Sequence, residues 1–291
     1  MAEPGPQLVA DARALAALAD SIRAEPVVAV DTESNSFHAY RERVCLIQLS
    51  TRGGDWIVDP LSVDVRPLGA VLCDGRETVL HGADYDVRCL KREYGWRLPR
   101  LFDTMAAARR LGAPGLGLSA LVEAHFGVRL SKAHQRSDWG HRPLTGEQLA
   151  YAALDTHYLL PLRDRLVADL AARGAAEEAR KEFDRIAAVE PRERVFDAEG
   201  YRRLPGARAL DAEGRAVLRA LWVAREERAR ALDRPPFKVL PEPAMVDIAR
   251  LRPRTSDALA RIRGVTPSVL RRIGPAILDA VAAAGGAGAA G

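Results

Sequence analysis

Cysteine is scarce. Only Cys45, Cys73 and Cys89 occur among 291 residues, and no two form a CxxC pair. An odd count without paired spacing argues against a disulfide framework. Each lies among apolar residues and reads as a small buried hydrophobe. No apolar run reaches the roughly 18–20 residues that a membrane helix needs. The opening Met1-Ala2-Glu3-Pro4-Gly5-Pro6 has neither a basic n-region nor an apolar h-region, so no secretory leader is expected. None of the six histidines stands at metal-ligand spacing from another or from a cysteine. A G-x-S-x-G elbow and a P-loop are both missing, which removes two common catalytic frameworks. These absences predict a cytoplasmic protein in a reducing compartment, working away from membranes. We expect a monomer.

What is present is an ordinary folded composition, 48% hydrophobic and 28% charged, which excludes wholesale disorder. The net charge of +4 hides an asymmetry. Residues 201–291 carry 17 Lys+Arg against 9 Asp+Glu, leaving 26 against 30 for the first 200 residues. A basic C-terminal part suits a polyanionic partner, although a solubilising arginine-rich surface explains the same numbers.

Residues 8–24 have helical apolar spacing and stop at Pro26. Strands are expected at 27–30, 43–51, 55–58 and 78–81, with Gly53-Gly54 as a turn. Asp84 reads as the N-cap of a helix to about Tyr94, and 101–104 as a strand end before a helix at 105–111. A glycine-punctuated loop at 112–118, a helix at 119–126 and an irregular stretch at 127–144 follow. Thr145 and Gln148 then fit a capping box that opens a helix carrying Tyr151 and Asp155. This order predicts an α/β domain with a mixed sheet over residues 1–190. A linker is expected at 191–208, and an all-helical domain at 209–284 with helices near 211–232, 243–250, 255–263 and 267–283. The glycine-rich 285–291 reads as a disordered tail.

Three short motifs carry candidate chemistry. In Val27–Glu33 (VVAVDTE), Asp31 and Glu33 are two apart on a strand and project from one face. Paired carboxylates repel, and a cation offsets the repulsion. In His81–Leu90 (HGADYDVRCL), Asp86 falls in the first turn of a helix, where the dipole favours an anion. In Tyr151–Asp155 (YAALD), a phenol and a carboxylate four apart share one helix face. Each motif has an ordinary structural explanation when taken alone: a solvated strand end, a helix-dipole carboxylate, a surface pair.

In this order the three motifs resemble the DEDD exonuclease superfamily, in its subclass with tyrosine in the third motif. The flanking Cys45–Leu49 (CLIQL), Ser137-Asp138-Trp139 and Arg142-Pro143-Leu144 resemble ribonuclease D. Leu221–Arg230, Pro235–Leu240, Leu251-Arg252-Pro253 and Ile262–Leu270 resemble one HRDC domain. The resemblance implies a ribonuclease H-like mixed-sheet exonuclease domain followed by a small all-α HRDC domain.

It also implies hydrolysis of RNA from the 3′ end with two divalent cations, Mg²⁺ or Mn²⁺. Such ions sit about 3.5–4 Å apart and favour hard oxygen ligands. Asp31 would bridge them, Glu33 and Asp155 would complete the water-activating site, and Asp86 would support the second ion. Tyr151 would orient the attacking water. Phe37, Tyr40, Arg41, Arg43, His81, Lys132 and Arg136 are candidates for holding the RNA strand by stacking or charge. Gly264 and Thr266, before a helix, are candidates for meeting a phosphate. The substrates expected are RNA 3′ ends, such as those of tRNA precursors. Two other readings fit the same sequence: a DNA exonuclease of the same superfamily and a noncatalytic nucleic-acid-binding adaptor.

Overall fold

The computed structural model describes residues 5–191 and 195–287. The chain forms two compact units, Met1–Asn35 with Arg43–Arg192, and Ser36–Glu42 with Glu193–Gly291.

The first unit begins with β1 (Gln7–Val9) and α1 (Ala12–Arg23), followed by β2 (Val27–Ser34), β3 (Val44–Thr51) and β4 (Gly54–Val58). Then come α2 (Arg66–Leu72), β5 (Glu77–Leu80), α3 (Asp84–Tyr94), β6 (Arg100–Asp103) and α4 (Thr104–Arg110). Helices α5 (Leu118–Phe126), α6 (Gly146–His157), α7 (Leu159–Ala172) and α8 (Ala176–Ala187) complete it. The six strands among the described residues form one sheet in the order β1-β4-β3-β2-β5-β6. β3 runs antiparallel to β2 and β4, while β2, β5 and β6 are mutually parallel, so the sheet is mixed as expected.

β3 is buried along its whole length, which accounts for its nearly unbroken apolar sequence. α1 buries Leu15, Leu18, Ala19 and Ile22, the i, i+3, i+4, i+7 stripe of an amphipathic helix. Gly69 of α2 is required by packing, because a Cβ there would lie 2.1 Å from Trp96 Nε1.

Several expectations need correction. Residues 8 and 9, expected to open the first helix, instead form with Gln7 an edge strand parallel to β4. Asp11 starts the helix instead, its carboxylate accepting from Ala14 N at 2.9 Å. β2 continues past Val30 to Ser34, so Asp31 and Glu33 lie within the strand. Asp84 is not an N-cap. The cap is Ala83, and Asp84 sits in the first turn, paired with Arg88 at 2.8 Å.

The second unit holds two short 3-10 turns, Gly200–Arg203 and Ala207–Ala209, then α9 (Ala212–Ala231), α10 (Pro236–Val239), α11 (Glu242–Leu251), α12 (Ser256–Ala260) and α13 (Pro267–Ala287). Leu218 and Leu221 of α9 pack with Met245, Ile248, Ile273 and Ile277 in a core of its own. The expected linker is partly wrong. Tyr201, Leu204 and Ala207 are buried in this core, so the chain is fixed there by apolar packing; residues 192–194 lie outside the described residues. The expected tail is also shorter, since α13 continues to Ala287 and only 288–291 lie outside the described residues. Among the described residues, no helix is long and apolar enough to cross a membrane.

Candidate active site

β2 supplies the first two carboxylates. It pairs with β5 only through Ala29↔Val79, so the strand outruns its parallel neighbour before Asp31. Further along, Asp86 takes over: its Oδ1 accepts from Thr32 N at 3.1 Å and Thr32 Oγ1 at 2.5 Å. Asp86 is buried, 5% exposed, in the first turn of α3. The turn that launches this helix is held by Asp103, whose carboxylate accepts from Gly82 N at 3.1 Å and Ala83 N at 2.8 Å. Asp103 also caps α4 through Ala106 N at 2.9 Å.

α6 supplies the remaining pair and packs on β2, β3 and β4. Its capping box is formed as expected, Gln148 N donating to Thr145 Oγ1 at 3.2 Å and Thr145 N to Gln148 Oε1 at 2.9 Å. The segment before it is pinned by Arg142, which donates to both Asp59 oxygens at 2.7 Å and to the Cys45 and Trp139 carbonyls. Trp139 is buried, and its ring stacks near that of Tyr151, centroids 6.1 Å apart. Packing thus fixes the face of α6 that carries Tyr151 and Asp155.

Asp31, Glu33, Tyr151 and Asp155 line one cleft of about 560 Å³ in the first unit, together with His81 and Lys132. Asp86 does not line it; it lies behind Thr32. The four carboxylates nonetheless act on one another. Burial, then the charges of Asp86, Asp155 and Glu33, hold Asp31 well above the ordinary carboxylate range. Burial, Asp155 and Asp86 push Glu33 up to about 9. Burial and Asp86 push Asp155 up to about 7. Asp86 rises less, to about 6, because burial is opposed by the hydrogen bonds from Thr32. Burial and the neighbouring carboxylates also raise the Tyr151 phenol, so it stays protonated near neutral pH.

Among the described residues, no basic side chain is a main contributor to the shifts of Asp31, Glu33 or Asp155. A buried set of hard anionic oxygens with no basic partner acting on it is the donor chemistry that divalent cations satisfy. Among the described residues, no three acidic, histidine or cysteine side chains already converge at ligand spacing. The cleft therefore brings the candidates together without closing them around one point.

His81 Nδ1 lies 2.9 Å from Thr104 Oγ1. That hydroxyl donates to Leu80 O at 3.0 Å, so Nδ1 carries the imidazole proton and Nε2 is left as an acceptor. Burial lowers the His81 pKa, consistent with a neutral ring. Lys132 is exposed at the cleft.

The other strand-holding candidates are not among the residues that line the cleft. Phe37, Tyr40 and Arg41 belong to the segment that groups with the second unit. There Tyr40 donates to Glu226 Oε1 at 2.6 Å, and Tyr40 N and Arg41 N donate to Asp233. Arg43 is exposed and its N–H donates to Asn35; Arg136 is exposed and does not line the cleft. Gly264, with φ +88°, makes the turn into α13, and Thr266 Oγ1 accepts from Val269 N at 3.3 Å.

Thr32 was missed by sequence reasoning because its partner lies 54 residues away. Gln48 was also missed, although a polar residue inside the apolar run Val44–Leu49 is itself a signal. A larger hollow, about 1270 Å³, lies in the second unit. It is lined by alanines and arginines with one carboxylate, Glu227, so it offers no acidic cluster for hydrolysis.

Comparison with known proteins gives the family. A family model described as 3′-5′ exonuclease matches residues 6–171, and an HRDC domain model matches residues 214–281. The chain is 32% identical over 286 residues to a ribonuclease D of Gluconacetobacter diazotrophicus, covering 97% of this chain and 72% of that protein. The Escherichia coli RNase D structure is 31% identical with a TM-score of 0.72, over 97% of this chain and 76% of that one. The catalytic core of RRP6 from Trypanosoma brucei is 27% identical with a TM-score of 0.87, over 99% and 84%. Proteins of this family hydrolyse RNA with the help of divalent metal ions. With its mixed sheet, acidic cleft and helical C-terminal domain, this chain belongs to the ribonuclease D family and is a 3′→5′ exoribonuclease.

Proposed function

We propose that the cleft holds two divalent cations, Mg²⁺ or Mn²⁺, on Asp31, Glu33 and Asp155, with Asp86 supporting the second ion through water, and that it shortens RNA one nucleotide at a time. The observation that carries this reading is that Asp31 and Glu33 of β2 and Asp155 of α6 line one cleft, with buried Asp86 of α3 bonded to Thr32 between the first two and its charge acting on all three. When bound, the ions supply a nucleophile near neutral pH and stabilise the leaving oxygen. Bound there, they would take the place of protons on the raised carboxylates of Asp31, Glu33 and Asp155. Asp86 is oriented by Thr32, which donates to it from both its N–H and its hydroxyl. Tyr151, held protonated, donates a hydrogen bond and aligns the attacking water; it does not serve as the base. His81 Nε2 and Lys132 face the RNA strand, one as an acceptor and one as a cation.

The substrate we favour is the 3′ end of structured RNA such as a tRNA precursor. The similar Escherichia coli enzyme is described as an exoribonuclease involved in structured RNA processing. The basic second unit contributes phosphate contacts, with Gly264 and Thr266 at one candidate point. Three free cysteines suit the reducing cytoplasm, where we place a monomer.

The test is digestion of 5′-labelled single-stranded RNA. Stepwise shortening is expected with Mg²⁺ or Mn²⁺ and none in EDTA. Asp31→Asn should abolish shortening while RNA binding persists. Cleavage by Asp31→Asn at the parent rate would show that the site is elsewhere. Matched DNA degraded as fast as RNA would favour the DNA exonuclease reading.

A further inference from the structure

Gln48 stands in the middle of β3, fully buried, yet neither Nε2 nor Oε1 has a hydrogen-bond partner among the described residues. Buried amides are normally bonded, and leaving one unmet costs stability. Its surroundings narrow the explanation. Gln48 is directly opposite Asp31 on one side and Ile57 on the other. Directly opposed residues share a face, with Cβ atoms about 4.5–5.5 Å apart. Ile57 has no polar atom, so Asp31 is the polar group directly opposite Gln48; Asp55, diagonal to it, is already bonded to Ser50 and His157.

The neighbours along β3 are already committed. Ser50 Oγ donates at 2.5 Å to Asp55 Oδ1 and lies 2.7 Å from Thr156 Oγ1. Asp55 Oδ2 is further bonded to His157 Nδ1 at 2.8 Å. Leu46, on the other side, packs with Ala152 and Ala153 of α6. Gln48 is thus interposed between a satisfied polar network and the acidic cleft. The torsion that turns its amide is a broad one, so the N–H can be redirected at little expense.

We propose that Gln48 is a positioning residue whose amide N–H donates to the Asp31 carboxylate, fixing the direction in which Asp31 presents its oxygens to a bound divalent cation. This rests on Asp31 being a metal ligand. Groups that orient ligands in this way change metal affinity or activity by about 10–100-fold when lost. An apolar residue of similar volume would pack better in this layer, so retaining an unmet amide sets stability against function.

The test is Gln48→Met, which conserves volume and removes both polar atoms. Mn²⁺ binding is titrated by electron paramagnetic resonance on the full chain without RNA, with melting followed in EDTA. Expected are Mn²⁺ binding weakened about tenfold or more, a melting temperature no lower than the parent, and a lower kcat with KM for a short RNA unchanged. An Mn²⁺ titration that superimposes on the parent would overturn the proposal. So would a markedly lower melting temperature, because the amide would then serve packing alone. Asp31→Asn in the same titration separates the two readings. If it also binds Mn²⁺ like the parent, the metal site itself is misplaced.

Discussion

Glu33 and Asp155 have native pKa values of about 9 and about 7, against ordinary values near 4. Folding therefore favours their protonated forms. Their contribution to stability is complete below about pH 4 and is lost as pH rises through about 7 and then about 9. In EDTA, the melting temperature is expected to fall across that window, and to fall less in Glu33→Gln, whose amide cannot ionise. Parallel profiles for the two proteins would contradict the burial argument. Asp59 has the opposite sign: Arg142 holds its pKa low against burial, so its contribution fades only as pH falls below about 4. Tyr151→Phe keeps the ring stacked on Trp139 and removes only the hydroxyl. If the phenol aligns water, kcat should drop by about 10²-fold with KM little changed. A rise in KM at constant kcat would assign the phenol to RNA binding. At this scale the pairs Asp31/Glu33 and Tyr151/Asp155 were legible because strand and helix periods are local geometry. Thr32–Asp86 was not, since nothing in the sequence records which distant strand a helix end meets.

Elements are held in register by single side chains at their ends. Asp103 joins two corners, accepting from Gly82, Ala83 and Ala106. Asp103→Ala leaves these N–H groups unmet and should cost about 2 kcal/mol in urea unfolding. It should also lower kcat, because the launch of α3 sets Asp86. Full activity in a destabilised Asp103→Ala would separate the corner from the site. Thr145→Ala, at an exposed cap, should cost about 1 kcal/mol by the same measurement. The capping box was readable because its spacing is fixed within four residues. Strand β1 was not, because its three residues form a strand only by pairing with β4, whose register is a tertiary fact. The buried turns at 200–209 escaped for the same reason: Tyr201 and Leu204 stand among arginines and breakers that look like a linker until the core they fill is present.

For the whole molecule, charge is divided as the sequence is, a basic helical unit following an acidic α/β unit. Composition showed this division, but not that residues 36–42 would group with the second unit, which depends on Tyr40 meeting Glu226. Arg261 and Arg263, both exposed beside the Gly264 turn, are suited to phosphate. Replacing both with Gln should weaken binding of different RNA sequences alike and reduce the slope of log affinity against log salt by about 1–2. An unchanged slope would give that turn another role.

The most direct measurement is anomalous diffraction from crystals equilibrated with Mn²⁺. Two peaks are expected in the cleft of the first unit, with Asp31 touching both and Glu33 and Asp155 sharing one. Crystals of active protein at saturating Mn²⁺ with no peak among Asp31, Glu33, Asp86 and Asp155 would contradict the metal site.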